Sequence, residues 1–330
     1  MKKIEKKTKE FLLSLDRCSL VYHGDADGVC SAVLMAKFLG ERVKMVSPND
    51  SYGIQITEQL MEEINNYPYG IFVDLAADQW DVGRIKSRVL VIDHHTPKQD
   101  LNKMEKFIHV NPRLKDPEKY LPASYLVYEI ISKLKEIGEY VWIANVGIIG
   151  DRGKKLFKCK ENGEDLKFLS DVIEASKGVY GYRGIVNAYR VFLEAQRPQD
   201  VLDSKLIKVY QKFQKAIDET MIDFKYHSEY FPDTNSYLYK VYNKYKIASV
   251  VSTKLSEEKP DAAFFVYTRD KVLSMSARCQ TARINLAELF SRISEGIGSG
   301  GGHPAAAAAN IPKENADKFM ERLRNYLEGI

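Results

Sequence analysis

Cysteine is scarce in this sequence. Only four of the 330 residues are cysteines, and no two of them form a CxxC pair: Cys18, Cys30, Cys159 and Cys279. Cysteines scattered in this way exclude a disulfide framework and indicate no zinc knuckle. We interpret them as reduced thiols, which predicts a cytoplasmic protein.

Long apolar runs are missing as well. The sequence has no stretch of about 18 or more consecutive apolar residues, so we expect no membrane span and no membrane partner. The N-terminus is basic but lacks a long apolar core and a small-residue cleavage site, which argues against a signal peptide. Instead, Ile4, Phe11, Leu12 and Leu15 share one helical face and predict an amphipathic first helix.

A large excess of one charge is also absent. Lys and Arg total 49 while Asp and Glu total 45, so the formal net charge is +4. This balance excludes a strongly basic protein that coats nucleic acid, although it permits an anionic ligand. The 45% of hydrophobic residues, with 20 Tyr and 14 Phe, argue against disorder. At roughly 100–200 residues per domain, a chain of this length predicts two domains.

The first half of the chain alternates short apolar runs with helical patterns. The predicted strands are residues 19–23, 42–46, 71–74, 89–93 and 107–110. The predicted helices are residues 29–39, 57–65 and 124–137. This alternation is typical of an α/β fold in which helices cover both faces of a parallel sheet. Functional groups of such sheets gather beyond the carboxyl ends of the strands.

The second half contains a helical segment and then a mixed region. Residues 165–226 keep helical spacing almost throughout, which we interpret as a structural connector. Further strands are predicted at residues 236–242, 262–267 and 272–277, and helices at 247–256, 285–293 and 313–327. A glycine-rich loop is expected at residues 296–302. The predicted division is an α/β domain at 1–155, a helical connector at 156–230 and a smaller mixed α/β domain at 231–330.

Acidic and imidazole side chains follow several of the apolar segments directly. These residues are Asp25, Asp27, Asp74, Asp93, His94, His95 and Asp151. If each segment is a parallel strand, the side chains meet at one edge of the sheet, where their negative charges require compensation. A mixed carboxylate and imidazole set suits a borderline divalent ion such as Mn²⁺. The number of groups exceeds the needs of one ion and fits two ions about 3.5–4 Å apart.

Five short motifs of the chain resemble those of one known family. The segments HGDADGVCSA, VDLA, VIDHHTP and GIIGDRG resemble, in this order, the four motifs of the DHH phosphoesterase family. The segment GSGGGHPAAAAA at residues 298–309 resembles the signature of the DHH-associated C-terminal domain. The family includes RecJ-like single-strand exonucleases, nano-RNases, cyclic-dinucleotide phosphodiesterases and type II pyrophosphatases. The resemblance implies a DHH catalytic domain at 1–155 and a DHH-associated substrate-binding domain at 231–330.

The resemblance also implies which residues bind metal. Asp25 and Asp27 would each hold one of two Mn²⁺ ions, and Asp74 would bridge the two ions. His94 and Asp151 would complete the second site. The pattern of the residues themselves and the family motifs thus indicate the same two-metal centre.

The resemblance also bears on the roles of three further residues in these motifs. His95 would face the substrate phosphate, and Asp93 would orient an imidazole ring, as metal-bound histidines usually require. His23 lies two residues before the first motif aspartate, whereas family members often carry a ligand histidine four residues before it. We therefore leave open whether His23 is a metal ligand.

The C-terminal motif is expected to grip the substrate. The glycines Gly300, Gly301 and Gly302 would let the backbone approach an anion closely. His303 would add an imidazole donor, and Arg278 would form a fork to a phosphate. The resemblance implies that these residues hold the bases or the distal phosphates of a nucleotide.

Two arginines adjoin the motifs without matching them closely. Arg113 follows the Asn111-Pro112 turn, and Arg152 follows Asp151. Either side chain could reach an anion, but an exposed arginine is the simpler interpretation of both.

These observations predict an Mn²⁺-dependent phosphodiesterase with two ions per active site and Mg²⁺ as a substitute. Its expected substrates are single-stranded DNA or short RNA, including linear or cyclic dinucleotides, which it would cleave to 5′-mononucleotides. We expect a homodimer with partners in DNA repair or replication. The alternatives are a phosphohydrolase resembling inorganic pyrophosphatase and a non-catalytic replication or repair scaffold of the same fold.

Overall fold

The computed structural model describes residues 2–49 and 56–329. The chain divides into two compact units, Met1–Tyr210 and Gln211–Ile330. No helix in the described residues is long and apolar enough to cross a membrane.

The first unit alternates helices and strands. Its strands are β1 (Cys18–His23), β2 (Val43–Asn49), β3 (Tyr69–Val73), β4 (Arg88–Ile92) and β5 (Phe107–Val110). Its helices are α1 (Lys2–Ser14), α2 (Ala26–Leu39), α3 (Glu58–Asn65), α4 (Ala123–Ile131), α5 (Val141–Gly150), α6 (Gly163–Tyr180), α7 (Tyr182–Glu194) and α8 (Pro198–Leu202). Helix α9 (Leu206–His227) begins in this unit and ends in the second.

The five described strands of this unit form one parallel sheet, which is buried on both faces. The strand order is β2-β1-β3-β4-β5. Leu20 and Tyr22 point to the core formed with α2, α4, α5, α6 and α7. The alternate residue Val21 packs on the opposite face with Phe72 and Trp80, where α3 and short 3₁₀ turns cover the sheet. The prediction of a parallel α/β sheet with helices on both faces is therefore confirmed.

Strand β1 lies where the strand order reverses. The chain passes from β1 to β2 on one side and then crosses over from β2 to β3 on the other side of β1. Ligands of such sheets bind at this position, outside the carboxyl ends of the strands. Helix α2 begins there, and its first turn packs tightly against β1. A Cβ atom at Gly28 would lie 2.2 Å from the His23 carbonyl oxygen, so only glycine fits.

The expectation that a strand precedes Asp151 is wrong. The apolar segment before Asp151 is not a strand but the helix α5, and Asp151 is its C-terminal cap. Trp142 through Ile148 are buried on every side of this helix. A helix that is apolar all round has no 3.6-residue pattern in its sequence, so it cannot be distinguished from a buried strand by periodicity.

The segment predicted as a connector is helical, as the spacing indicates. Leu166, Leu169 and Ile173 of α6 and Ile185 of α7 are buried in the same core as β1. These helices therefore belong to the first compact unit. The division of the chain into three domains stays a prediction.

The second unit contains a mixed sheet of six described strands. They are β6 (Glu229–Phe231), β7 (Ser236–Lys240), β8 (Ala263–Arg269), β9 (Val272–Cys279), β10 (Ser299–His303) and β11 (Ala306–Pro312). The order is β10-β11-β9-β8-β7-β6, and β7 and β8 form the parallel pair. The helices that follow α9 are α10 (Ala248–Glu258), α11 (Leu286–Ser294) and α12 (Ala316–Leu327).

The glycine-rich segment is a strand rather than the expected loop. Residues 299–303 form the edge strand β10, which pairs with the alanine-rich strand β11. Helix α11 packs directly on this strand, and a Cβ atom at Gly300 would lie 2.7 Å from the Phe290 carbonyl oxygen. Glycine has a low intrinsic preference for strands, so tertiary packing of α11 overrides the local signal here.

Candidate functional site

Asp74 occupies an unusual position directly after β3. Its backbone adopts the left-handed conformation, with a φ of 60°, and its N–H donates to the Ile92 carbonyl oxygen at 2.9 Å. The side chain is only 1% exposed, and neither carboxylate oxygen has a hydrogen-bond partner among the described residues. Burying a carboxylate without hydrogen bonds costs free energy unless a cation compensates its charge. Strained backbone of this kind is concentrated at functional sites.

A first group of possible ligands forms on one side of Asp74. His23 is the last residue of β1, and its Nδ1 lies 2.9 Å from Oδ2 of Asp25 and 3.4 Å from Oδ2 of Asp74. Ligand atoms of these three residues all lie within 4.8 Å of one another. Burial acts to lower the pKa of His23, but the two carboxylates outweigh it and raise that pKa well above its usual value. The arrangement concentrates negative charge around the imidazole.

Asp25 is fixed by the helix that it precedes. It is the N-cap of α2, and its Oδ1 accepts a hydrogen bond from the Gly28 N–H at 2.9 Å. The other oxygen, Oδ2, faces His23. The carboxylate therefore has one oxygen committed to the helix start and one directed to the candidate metal site.

A second group forms on the other side of Asp74. It contains Asp27, His94 and Asp151, whose ligand atoms also lie within 4.8 Å of one another. Nδ1 of His94 is 3.5 Å from Oδ2 of Asp151, while its Nε2 is 3.0 Å from Oδ1 of Asp74. Burial acts to lower the pKa of His94, but the Asp74 carboxylate outweighs it and raises the value to about 10. Asp74 thus contacts both groups, one through each oxygen.

Asp27 is held by the start of helix α4. Its carboxylate accepts hydrogen bonds from the backbone N–H groups of Ala123, at 2.6 Å, and Ser124, at 2.9 Å. The Ser124 hydroxyl donates to it as well. The first N–H groups of a helix carry partial positive charge and stabilise an anion. Burial, followed by the charge of Asp74, nevertheless raises the pKa of Asp27 well above its usual value.

The remaining motif residues form a pair beside these groups. Nδ1 of His95 lies 2.7 Å from Oδ1 of Asp93, which is fully buried. Burial acts to raise the pKa of Asp93, but the His95 hydrogen bond outweighs it and lowers that pKa. Burial acts to lower the pKa of His95, and the hydrogen bond to Asp93 outweighs it and raises it. The His95 ring is therefore oriented by a carboxylate and keeps its other nitrogen available.

The donor set fits a pair of divalent ions. Six predicted ligands converge, and they combine carboxylate oxygens with imidazole nitrogens: His23, Asp25, Asp27, Asp74, His94 and Asp151. Both buried carboxylate oxygens of Asp74 lack hydrogen bonds from the described residues, and a bound cation would compensate their negative charge. Mixed oxygen and nitrogen ligands suit Mn²⁺ and related first-row ions. Which residues bind which ion stays a prediction.

Sequence reasoning missed two residues of this site. The Tyr120 hydroxyl donates to the Asp151 carboxylate, and the Tyr120 ring stands edge-on to His94 with centroids 4.9 Å apart. Glu174 of α6 accepts a hydrogen bond from the Ala26 N–H at 3.0 Å. Burial, followed by the charge of Asp25, raises the pKa of Glu174 to about 7. Neither residue lies in a motif, so only the tertiary structure reveals these contacts.

The predicted substrate residues of the second unit lie at one end of its sheet. His303 pairs with Ala306, and Ala306 pairs with Arg278, so the three residues form one row across β10, β11 and β9. The Arg278 guanidinium donates to Oγ1 of Thr253 at 3.1 Å and to Oγ of Ser249 at 3.3 Å. Its orientation is therefore fixed by helix α10.

The three predicted glycines differ in their surroundings. Gly302 has a φ of +146°, and a Cβ atom there would lie 2.5 Å from the Ala306 carbonyl oxygen. Gly300 is constrained by α11. At Gly301, in contrast, no described atom lies within 4 Å of the position of a Cβ atom. Packing within the unit therefore explains two of the glycines but not Gly301.

The fold is similar to that of three solved structures. RecJ from Thermus thermophilus, in complex with Mn²⁺, matches with a TM-score of 0.70 and 17% identity over 99% of this chain and 54% of that chain. A pGpG-specific phosphodiesterase from Vibrio cholerae matches with a TM-score of 0.56 and 17% identity over 95% of this chain and 99% of the other. CDC45 from Entamoeba histolytica matches with a TM-score of 0.60 and 12% identity over 98% and 99%. At these identities the similarity shows a shared fold.

A curated relative and two domain families match the sequence itself. An uncharacterised protein of Methanocaldococcus jannaschii is 29% identical over an alignment of 214 positions that covers 58% of this chain. The chain spans about half the length of that relative, 49%, and of the Thermus protein, 54%. Residues 19–148 match the DHH family, N-terminal domain, and residues 234–329 match the DHHA1 domain. The two matches cover 130 and 96 of the 330 residues, so the chain contains a DHH family N-terminal domain and a DHHA1 domain.

Proposed function

We propose that this protein is a phosphodiesterase that uses two Mn²⁺ ions, with Mg²⁺ as a substitute. Its substrates would be single-stranded DNA or short oligoribonucleotides, including linear or cyclic dinucleotides, and its products 5′-mononucleotides. The observation that carries the proposal is the Asp74 carboxylate. It is buried, both of its oxygens lack hydrogen-bond partners among the described residues, and each oxygen lies beside the imidazole of a different group of possible ligands.

The ligand assignment follows these two groups. His23, Asp25 and Asp74 would hold one ion, and Asp27, His94 and Asp151 would hold the other, with Asp74 shared. A bound pair of divalent ions lowers the pKa of water and offsets charge on phosphoryl oxygens. The distance of 2.9 Å between His23 and Asp25 supports His23 as a ligand, a question that the sequence leaves open.

His95 and Asp93 would act on the substrate phosphate. Asp93 orients the ring through Nδ1, so that Nε2 is free to face a ligand. The raised pKa of His95 favours the protonated ring, in which Nε2 carries a hydrogen. This N–H would donate to a phosphoryl oxygen and stabilise the negative charge that develops there.

The second unit would hold the rest of the nucleotide. The backbone of Gly301 is open to a ligand, and no packing contact among the described residues requires glycine at this position. His303 and Arg278 lie in the same cross-strand row and would contribute an imidazole and a guanidinium. The structural neighbour named as a pGpG-specific phosphodiesterase supports a dinucleotide substrate. We also propose that the protein is a homodimer, the commonest symmetric assembly.

A non-catalytic scaffold in replication or repair is the second candidate. The fold similarity to CDC45 supports it. The convergence of all six predicted ligands favours the enzyme, because a scaffold has no need of a buried carboxylate without hydrogen bonds inside a cluster of possible metal ligands.

Product mapping with Asp74→Asn tests the proposal. A dinucleotide, a five-mer and a long single strand, each as end-labelled DNA and RNA, would be incubated with Mn²⁺, Mg²⁺ or chelator. We expect Mn²⁺-dependent release of 5′-mononucleotides and at least a ~1,000-fold loss of rate in Asp74→Asn. The matched control is Asp81→Asn, which changes an exposed aspartate of the same unit. Equal rates for wild type and Asp74→Asn would refute the assignment, and a wild type that binds Mn²⁺ but cleaves none of the substrates would favour the scaffold.

A further inference from the structure

Arg113 lies in a turn that is tied to the Asp93–His95 segment. The turn follows β5, and Oδ1 of Asn111 accepts a hydrogen bond from the Arg113 N–H at 2.9 Å. Nδ2 of the same asparagine donates to the His95 carbonyl oxygen at 2.9 Å. One side chain therefore fixes the backbone of Arg113 relative to His95.

The Arg113 guanidinium is held at two further points. Its Nη1 donates to Oγ1 of Thr96 at 2.8 Å, and its central carbon lies 5.3 Å from the centroid of the Tyr120 ring. The hydroxyl of that tyrosine donates to Asp151, and its ring contacts His94. A cation stacked on an aromatic ring is stabilised by the negative charge of the ring face. Tyr120 therefore links the guanidinium to two residues of the candidate metal centre.

The Nε–Nη2 edge of the guanidinium has no hydrogen-bond acceptor among the described residues. Nε of Arg113 is buried and has no acceptor among the described residues, and none of the ion pairs of the described residues includes Arg113. Nε and Nη2 present parallel N–H groups on one edge, whereas Thr96 occupies Nη1 on the other. Buried donors in native structures almost always find an acceptor. The free edge is therefore a place for an acceptor that comes from outside the chain.

We propose that Arg113 binds a phosphoryl group beside the metal centre through its Nε–Nη2 edge, and that Tyr120 and Thr96 position it. The inference rests on the proposed function, because that function brings a phosphate to this centre. A guanidinium edge matches two oxygens of a phosphoryl group, which gives direction as well as charge. Of the two sequence interpretations of Arg113, an arginine that reaches an anion and an exposed arginine, the proposal adopts the first.

Phosphate binding tests this role without requiring turnover. Inorganic phosphate would be titrated calorimetrically into Mn²⁺-loaded wild type, Arg113→Gln and Arg113→Lys. We expect Arg113→Gln to weaken phosphate binding about 10–100-fold and Arg113→Lys to restore only part of it, because lysine keeps the charge but loses the paired N–H groups. Affinity for Mn²⁺ itself should change less than about threefold, since Arg113 is not a proposed ligand.

A matched control and a kinetic measurement complete the experiment. Arg88→Gln changes an exposed arginine at the first residue of β4, at the other end of the strand from the candidate site, and should bind phosphate like wild type. With the substrate identified by product mapping, KM should rise in Arg113→Gln. Unchanged phosphate affinity and KM in Arg113→Gln would overturn the inference even if the enzyme is active. Arg113-dependent phosphate binding by a protein that cleaves no substrate would uphold it while the proposed function fails.

Discussion

The side chains of Asp74 and His109 are both buried and lack hydrogen-bond partners among the described residues, but their surroundings differ. The Asp74 carboxylate faces other possible ligands, so an ion would satisfy it. His109 lies in β5 and is 0% exposed, and both of its ring nitrogens lack partners among the described residues. An unpartnered imidazole of this kind makes folding sensitive to pH.

We predict that His109 makes the protein less stable in acid. Burial lowers the pKa of His109, so the folded state resists protonation, whereas the unfolded chain takes up a proton below its ordinary pKa of about 6.5. The unfolded state then binds more protons, so the free energy of unfolding decreases as the pH falls from neutral through that value. His109→Leu removes this contribution and should flatten the pH dependence.

Urea unfolding of metal-free protein at pH 7.5 and pH 5 measures this effect. The loss of unfolding free energy between the two values should be smaller in His109→Leu than in wild type. A variant whose unfolding free energy falls as steeply as that of wild type would show that His109 does not bring about the acid sensitivity.

How far the sequence predicts the site depends on each residue's position in the chain. Asp74 directly follows β3, and Asp25 and His94 lie two residues beyond β1 and β4, so the parallel sheet alone brings them to one edge. Tyr120 and Glu174 reach the same place through the packing of a loop and of α6, and no local pattern encodes that contact. Asp151 lies with them although its supporting element is a helix, because the end of α5 also reaches this edge.

At the scale of elements, β10 shows how packing overrides local preference. Five consecutive residues, including Gly300 through Gly302, form a strand because β11 supplies the hydrogen bonds and α11 covers the backbone. A glycine run lacks the alternating pattern that identifies strands in a sequence. The alternating burial of the neighbouring strand β11 is equally hidden, since its residues are mostly alanines.

Two alanine substitutions in β10 should separate packing from ligand binding. Gly300→Ala places a methyl group 2.7 Å from backbone of α11, so we expect a loss of about 1–3 kcal/mol in unfolding free energy. Gly301→Ala meets no described atom within 4 Å and should leave thermal stability unchanged. If the open backbone of Gly301 receives the substrate, KM should nevertheless rise in this variant. Equal stability of the two variants would contradict the packing argument.

At the scale of the whole molecule, two matched domain families cover separate units. The DHH match at 19–148 lies within the first unit, and the DHHA1 match at 234–329 lies within the second. The candidate metal centre is built from residues of the first unit, whereas Arg278, Gly301 and His303 belong to the second. We therefore expect changes in the second unit to affect substrate binding more than the chemical step.

Arg278→Ala tests whether the second unit affects substrate binding more than the chemical step. Loss of a ground-state phosphate contact should raise KM by about tenfold while kcat changes less than about threefold. Arg278→Lys retains the charge and should give an intermediate KM. Steady-state kinetics on the preferred oligonucleotide would measure both constants, and an equal decrease of kcat would contradict a role in binding alone.

The proposed sharing of Asp74 by two ions would have a consequence for how the protein binds metal. One carboxylate faces both groups, so the first ion to arrive neutralises charge that the second would otherwise meet. Occupancy should then proceed in two unequal steps, the later one weaker than the earlier. When Mn²⁺ is scarce, a large fraction of the protein would hold a single ion. This fraction would be folded and stabilised but inactive. The rate of the reaction in a cell would then depend on the supply of Mn²⁺.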